Sequence, residues 1–218
     1  MSTAPEPRAT VGLGLRERKK LATREAIGGA AFRLAVQRGL ENVTVEDIAA
    51  AANVSPRTFN NYFSSKPEAI SALGIDRAVR IGAALCERPA TEPLWDAISA
   101  AVLEHYDTVQ SPRGEWKDGM RRVLQSPAMR GEYLKTNAAM QRALTDAIAE
   151  RTGLDRGQDM LPMVLAGAVT TATQAAVRRW FAADPPVPLR PLVREVLGQV
   201  AQAFTDAARA VQPGWDTP

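Results

Sequence analysis

Thr44-Val45-Glu46-Asp47-Ile48-Ala49-Ala50-Ala51-Ala52-Asn53-Val54-Ser55-Pro56-Arg57-Thr58-Phe59-Asn60-Asn61-Tyr62-Phe63 is the stretch on which the fold turns. Thr44 offers an N-cap oxygen, and Asp47 follows three residues later as a capping-box variant. Val45, Ile48, Ala49 and Ala52 lie on one face of about two helical turns. Asn53-Val54 breaks that helix, since Asn tolerates the left-handed backbone that a tight inter-helix turn requires. Ser55 is a second N-cap, and Pro56 takes the first helical position, where its missing N–H costs nothing. The second short helix runs to Phe63. Two short helices joined by a tight turn, behind a longer supporting helix, make a helix-turn-helix pattern.

The supporting helix lies just upstream, from Arg16 to Gln37, with Ile27, Ala30, Ala31 and Leu34 at helical spacing and Gly39 as its C-terminal cap. Ile27, Ala31, Leu34, Val45, Ile48, Ala49 and Val54 supply a small core, to which Phe59 and Phe63 add. The other face of the second short helix is then free to enter a major groove, which admits one helix. That face carries Pro56, Arg57, Thr58, Asn60 and Asn61. Arg pairs bidentately with guanine and Asn with adenine. Thr44 stands at a helix start, where free N–H groups favour phosphate. Tyr62 and Lys66 lie at the far end, a hydroxyl and an ammonium placed for the DNA backbone. Arg16, Arg18, Lys19, Lys20 and Arg24 are placed to run along phosphates or into a minor groove. Charge agrees: residues 1–66 carry ten basic and six acidic side chains, while the rest of this +3 chain is slightly acidic.

Thr23-Arg24-Glu25-Ala26-Ile27, Gly39, Thr44-Val45-Glu46-Asp47-Ile48-Ala49, Asn53-Val54-Ser55, Thr58-Phe59, Tyr62-Phe63 and Lys66 together resemble the DNA-binding domain of TetR-family regulators. The resemblance spans about residues 19–81, with the helix-turn-helix at 44–63. Three positions depart from the family pattern. Asn53 replaces a preferred Gly, Phe59 replaces the usual Tyr and so removes a phosphate-seeking hydroxyl, and Ala35 replaces a large aromatic that Phe32 partly compensates. The resemblance implies a homodimer on near-palindromic double-stranded operator DNA, with half-sites about one helical turn apart or a little more. It also implies dimerisation through the last two long helices, by way of Leu161, Val164, Leu165, Ala168 and Ala172 on one and Leu192, Val196, Val200, Ala203 and Phe204 on the other. The same stripes also serve an intramolecular core.

Beyond Ser64-Ser65-Lys66-Pro67 the pattern stays helical. A fourth helix runs to about Leu85, Pro89 to Pro93 is a linker, and further helices are expected at Leu94–Val109, Glu115–Leu124, Ala128–Thr152, Gln158–Ala183 and Leu189–Val211. No strand and no repeat stands out. The expectation is an all-α chain: a disordered tail over 1–14, a three-helix DNA-binding domain over 15–66, and a larger helical bundle over 67–218 for effector binding and dimerisation. The pocket candidates are Trp95, His105, Tyr106, Met120, Met129, Tyr133 and Gln174, with Ile98, Val102, Leu124, Met140 and Thr170 around them. This aromatic- and Met-rich set suits a small apolar or amphipathic effector. Ser126-Pro127-Ala128-Met129-Arg130, Glu150-Arg151-Thr152-Gly153 and Arg178-Arg179-Trp180-Phe181 are similar to TetR-type mycofactocin regulators. That implies an acyl-CoA or another amphipathic acyl ligand, with Arg121, Arg122 and Arg130 at the pocket mouth. The function that follows is a ligand-responsive repressor, working by a population shift transmitted through the fourth helix.

Other classes fare worse. One His and one Cys give little for a nucleophile–base pair, and there is no Gly-rich phosphate loop and no metal-ligand spacing, so no catalytic residues, cofactor or metal are expected. Cys86 alone forms no intrachain disulfide, which fits a reducing cytoplasm. No apolar run reads as a bilayer span, and the start has no apolar signal-peptide centre. An architectural DNA-binding protein with a fully packed second domain is the closest alternative.

Overall fold

A computed structural model describes residues 14–106, 115–185 and 187–210, without the side chains of 205–210. The tail, residues 107–114 with the Ser111-Pro112 break, Pro186 and Val211 lie outside the described residues. Among the described residues there are α-helices and two short 3-10 turns and no strand: α1 Leu15–Arg38, α2 Val45–Ala51, α3 Pro56–Tyr62, α4 Lys66–Cys86, α5 Leu94–Glu104, α6 Glu115–Gln125, α7 Arg130–Thr152, α8 Met160–Ala182 and α9 Leu189–Ala210. The turns are Leu40–Asn42 and Pro127–Met129. The all-α expectation holds. Helix ends fall within two residues of their expected places, with two exceptions: α5 ends at Glu104 with His105 as its C-cap, five residues short of the expected Val109, and a 3-10 turn at Pro127 takes the place of the first residues of the longer α7 that was expected.

The helices form two compact units. The first contains residues up to 83 together with 113–139, and the second contains 84–112 and 140–218. In the first, Ile27, Ala31, Leu34, Ile48, Phe59 and Phe63 are buried in one cluster with Val123 and Met129, and Val45, Val54 and Phe32 pack against it half-buried. This is the core expected from α1 to α3, extended by α6 and the turn after it. Ala35 is fully covered, so a small side chain fits where an aromatic is common. Two glycines allow the close packing. A Cβ on Gly119 of α6 would lie 2.2 Å from the Val36 carbonyl of α1, and one on Gly28 would lie 2.9 Å from the Ala69 carbonyl of α4. A buried polar link joins α4 to α7: Ser71 Oγ donates to Glu132 Oε2 at 2.9 Å, while Lys135 Nζ donates to the other oxygen at 2.6 Å.

In the second unit α9 packs on α8 and α5. Ile98, Val102, Leu144, Ile148, Val169, Ala176, Trp180 and Leu197 are buried. The expected linker Pro89–Pro93 is held by its neighbours: Arg151 of α7 donates to the carbonyls of Arg88, Pro89 and Glu92, and Arg88 pairs bidentately with Glu92. One expectation needs correcting. By length and composition α8 is apolar enough to cross a bilayer, where no such run was expected. Its apolarity has a packing reason: Leu165, Ala166, Val169, Ala172 and Ala176 are buried and α9 packs on the helix.

Candidate nucleic-acid interface

The candidate interface is built from two caps and a turn. Thr44 Oγ1 accepts from the Asp47 N–H at 3.1 Å and donates to Asp47 Oδ2 at 2.8 Å, while the Thr44 N–H donates to the same carboxylate at 2.9 Å. This is a complete capping box that starts α2. These bonds from Thr44, the backbone N–H first, hold the Asp47 carboxyl below its usual range, with Arg38 adding a smaller pull. Asn53 then takes φ 54°, the only non-glycine residue with positive φ among the described residues. The chain reverses there, and Val54 N–H returns to the Ala49 carbonyl at 2.9 Å. Ser55 caps α3 by accepting from the Thr58 N–H at 3.0 Å, with Pro56 at the first turn.

The consequence is a helix with two unlike faces. Phe59 and, at its end, Phe63 are buried, with their rings 5.9 Å apart. Pro56, Arg57, Asn60 and Asn61 are exposed. A helix locked from inside by two phenylalanines thus presents an arginine and two asparagines outward, the side chains suited to base edges. Thr58 is half-buried and its hydroxyl lies 2.9 Å from Ser55 Oγ. Its hydroxyl is thus paired with the side chain that caps α3, as that of Thr44 is paired with Asp47.

The start of α1 adds the second part. Gly14, Arg16, Glu17, Lys19, Lys20 and Thr23 form, with Tyr62 from the end of α3, an open groove of about 640 Å³. The expectation placed α1 and Tyr62 separately on the DNA backbone, and the structure brings them to one site. Arg18 is exposed on the same turns of α1. Three basic side chains and one acidic one give this groove the sign that phosphate requires.

Two expected phosphate ligands are engaged with protein. The Arg24 guanidinium lies 4.8 Å over the Phe63 ring, and its Nε stands 3.5 Å from Asp76 of α4. Lys66 Nζ donates to the carbonyls of Leu40 at 2.9 Å and Val43 at 2.5 Å. Sequence reasoning missed the Ser64–Glu68 contact as well. Glu68 accepts from Ser64 N–H at 2.8 Å and Ser64 Oγ at 2.6 Å, bonds that hold its carboxyl below the ordinary value, the hydroxyl bond first. The available signal was the placement of Ser64-Ser65 and Glu68 around the first turn of α4, where such caps form.

The effector candidates divide between the units. Met120, Met129 and Tyr133 belong to the first, and Trp95, His105, Tyr106 and Gln174 to the second. Met129 is 3% exposed and sits in the same apolar cluster as Phe59 and Phe63, with Met120 packed against it, so both serve the core of the first unit. Tyr133 is 46% exposed. In the second unit the Trp95 ring meets Phe204 edge-on at 6.1 Å, His105 Nδ1 lies 3.0 Å from the Ala101 carbonyl, Tyr106 is buried and Gln174 is half-buried. No group of three or more metal-ligating side chains occurs among the described residues.

Comparison with known proteins bears on the same two regions. Residues 27–73 match the model of bacterial regulatory proteins of the tetR family, and residues 92–205 match the model of the MftR C-terminal domain. Over 188 residues, 81% of each chain, the sequence is 36% identical to the HTH-type transcriptional regulator TcmR of Streptomyces glaucescens. Over 164 residues it is 24% identical to a protein of Mycobacterium tuberculosis named MftR for the regulation of mycofactocin biosynthesis, covering 75% of this chain and 82% of that one. The fold is similar to a crystal structure from Syntrophomonas wolfei described as of the TetR family, with TM-score 0.61 at 17% identity, over 84% of this chain and 95% of the other.

Proposed function

The chain belongs to the TetR family of bacterial transcriptional regulators, and we propose that it is a dimeric repressor that reads a near-palindromic operator through α3 and is released by an amphipathic effector. The observation that carries this is the two-faced α3: Phe59 is fully buried while Pro56, Arg57, Asn60 and Asn61 face solvent. Arg57 and Asn61 read base edges, and Asn60 and Pro56 flank them. Arg18, Lys19 and Tyr62 hold phosphates from the α1 groove, and the N-terminus of α2 at Thr44 holds another through backbone N–H groups. Thr58 supports the start of α3. The protein acts in the cytoplasm, where the DNA is.

Dimerisation uses α8 and α9. Leu161 and Val164 on α8 and Phe204 on α9 are between 42% and 50% exposed, an apolar surface suited to a second copy. The effector belongs to the region 92–205, which matches the MftR C-terminal domain, and we take it to be an acyl-CoA or a related acyl amphiphile. Trp95, His105, Tyr106 and Gln174, all in the second unit, are the contacts to test first. Ligand preference for one of two arrangements of α4 sets how far DNA affinity falls.

A duplex selected by the chain from a random library provides the test. Arg57→Ala and Asn61→Ala should each lower affinity for that duplex by about 1–3 kcal/mol and leave a scrambled duplex nearly unaffected. Equal loss on both duplexes would remove the base-reading role. Palmitoyl-CoA should raise the melting temperature and release the selected duplex. If it does neither, the acyl reading fails while the DNA reading stands.

A further inference from the structure

We infer that Lys66 is a positioning residue of the DNA-reading head, holding the turn that leads into α2 instead of a DNA phosphate. The inference rests on α3 being the reading helix. Lys66 is the first residue of α4. The free N–H groups of a helix start favour anions there, so an ammonium is misplaced unless it turns away. It does turn away. Nζ donates to Leu40 O and Val43 O, 26 and 23 residues back in the chain. Leu40 is 8% exposed and Val43 1%, so their carbonyls lie where water is scarce and a partner is needed.

The span of these bonds gives them their meaning. Val43 immediately precedes Thr44, the N-cap of α2, and Lys66 follows the Ser64-Ser65 turn that ends α3. The whole helix-turn-helix therefore lies inside a loop closed by one ammonium. That closure fixes where α2 begins relative to where α3 ends, and with it the direction in which Arg57 and Asn61 point. The exposed cations left for phosphate in this unit include Arg16, Arg18, Lys19 and Lys20.

The experiment uses the full chain, the selected duplex and a scrambled duplex of equal composition, with binding read by fluorescence anisotropy over a salt series. Lys66→Met keeps the aliphatic stem and removes the ammonium, and circular dichroism establishes that it folds. The preference for the selected duplex should fall on the order of tenfold, while the salt slope on the scrambled duplex stays at the wild-type value. If Lys66 held a phosphate, both duplexes would weaken by one factor and the slope would shrink by about 0.9, which would overturn the inference. Should that variant not fold, Lys66→Arg decides. A guanidinium serves a phosphate as well as an ammonium does but does not fit between two carbonyls set for a compact ammonium. A lowered preference supports positioning, and an unchanged one refutes it. If the wild-type chain selects no duplex at all, the DNA reading itself fails and this inference falls with it.

Discussion

Asn53 carries the tightest constraint of any single residue. Its φ of 54° is the turn of the helix-turn-helix, and a β-branched side chain is strained there. Asn53→Val should cost about 1–2 kcal/mol of stability, and Asn53→Gly should be close to neutral; thermal denaturation of the pair checks this, and equal melting temperatures would mean that the turn is not held as described. Glu68 gives a pH signature. Its carboxyl is depressed by the Ser64 hydroxyl and backbone N–H, with Lys135 and Arg24 adding smaller pulls. A depressed carboxyl contributes stability that is complete above its unfolded value and is lost as pH falls through the folded one. Glu68→Gln should therefore melt below wild type at neutral pH, with the difference closing as pH drops below about 4. Much at this scale was legible beforehand. Thr44, Asn53, Ser55 and Pro56 act through local backbone chemistry, and their roles follow from spacing alone. The partners of Arg24 and Lys66 were not legible, because Asp76, Leu40 and Val43 lie 23 or more residues away and only tertiary packing brings them near.

At the scale of elements, helical periodicity and Pro or Gly breaks place α1 to α9 well, since the stripes are long and the breakers strong. What periodicity does not show is which helix packs on which. α6 was expected among the pocket helices, yet Gly119 brings it onto α1 so closely that a methyl group would collide with the Val36 carbonyl. The collision is with backbone, which cannot move without shifting α1. Gly119→Ala should thus destabilise the first unit by about 1–3 kcal/mol, read by chemical denaturation, whereas Gly131→Ala on open α7 should not. Comparable stability in both variants would show that α6 does not dock as described. The same contact accounts for Met120 and Met129. Their helix and turn join the core of the first unit, so of two residues expected around an effector Met129 is buried in that core and Met120 packs against it.

For the whole molecule, the charge split is read directly from the sequence and the dimer is what the family resemblance implies, while the effector contacts stay the least legible part of the chain. Apolar residues that line a pocket and apolar residues that fill a core have the same sequence pattern. The proposed self-association surface is better marked, because exposed large apolar side chains are unusual on a helix that is otherwise packed. Val164→Glu combined with Phe204→Glu should convert the dimer to monomer in analytical ultracentrifugation and weaken operator binding far more than binding of a single half-site. A dimer that persists through both changes would move the interface elsewhere. The central claim is that α3 lies in the major groove of two half-sites, and guanine-N7 methylation interference on the selected duplex measures it directly. Interference is expected at guanines in two symmetric clusters about one helical turn or slightly more apart, with the cluster signal abolished by Arg57→Ala. Interference limited to the minor groove, or none at guanine N7 on a duplex the protein still binds, would contradict it.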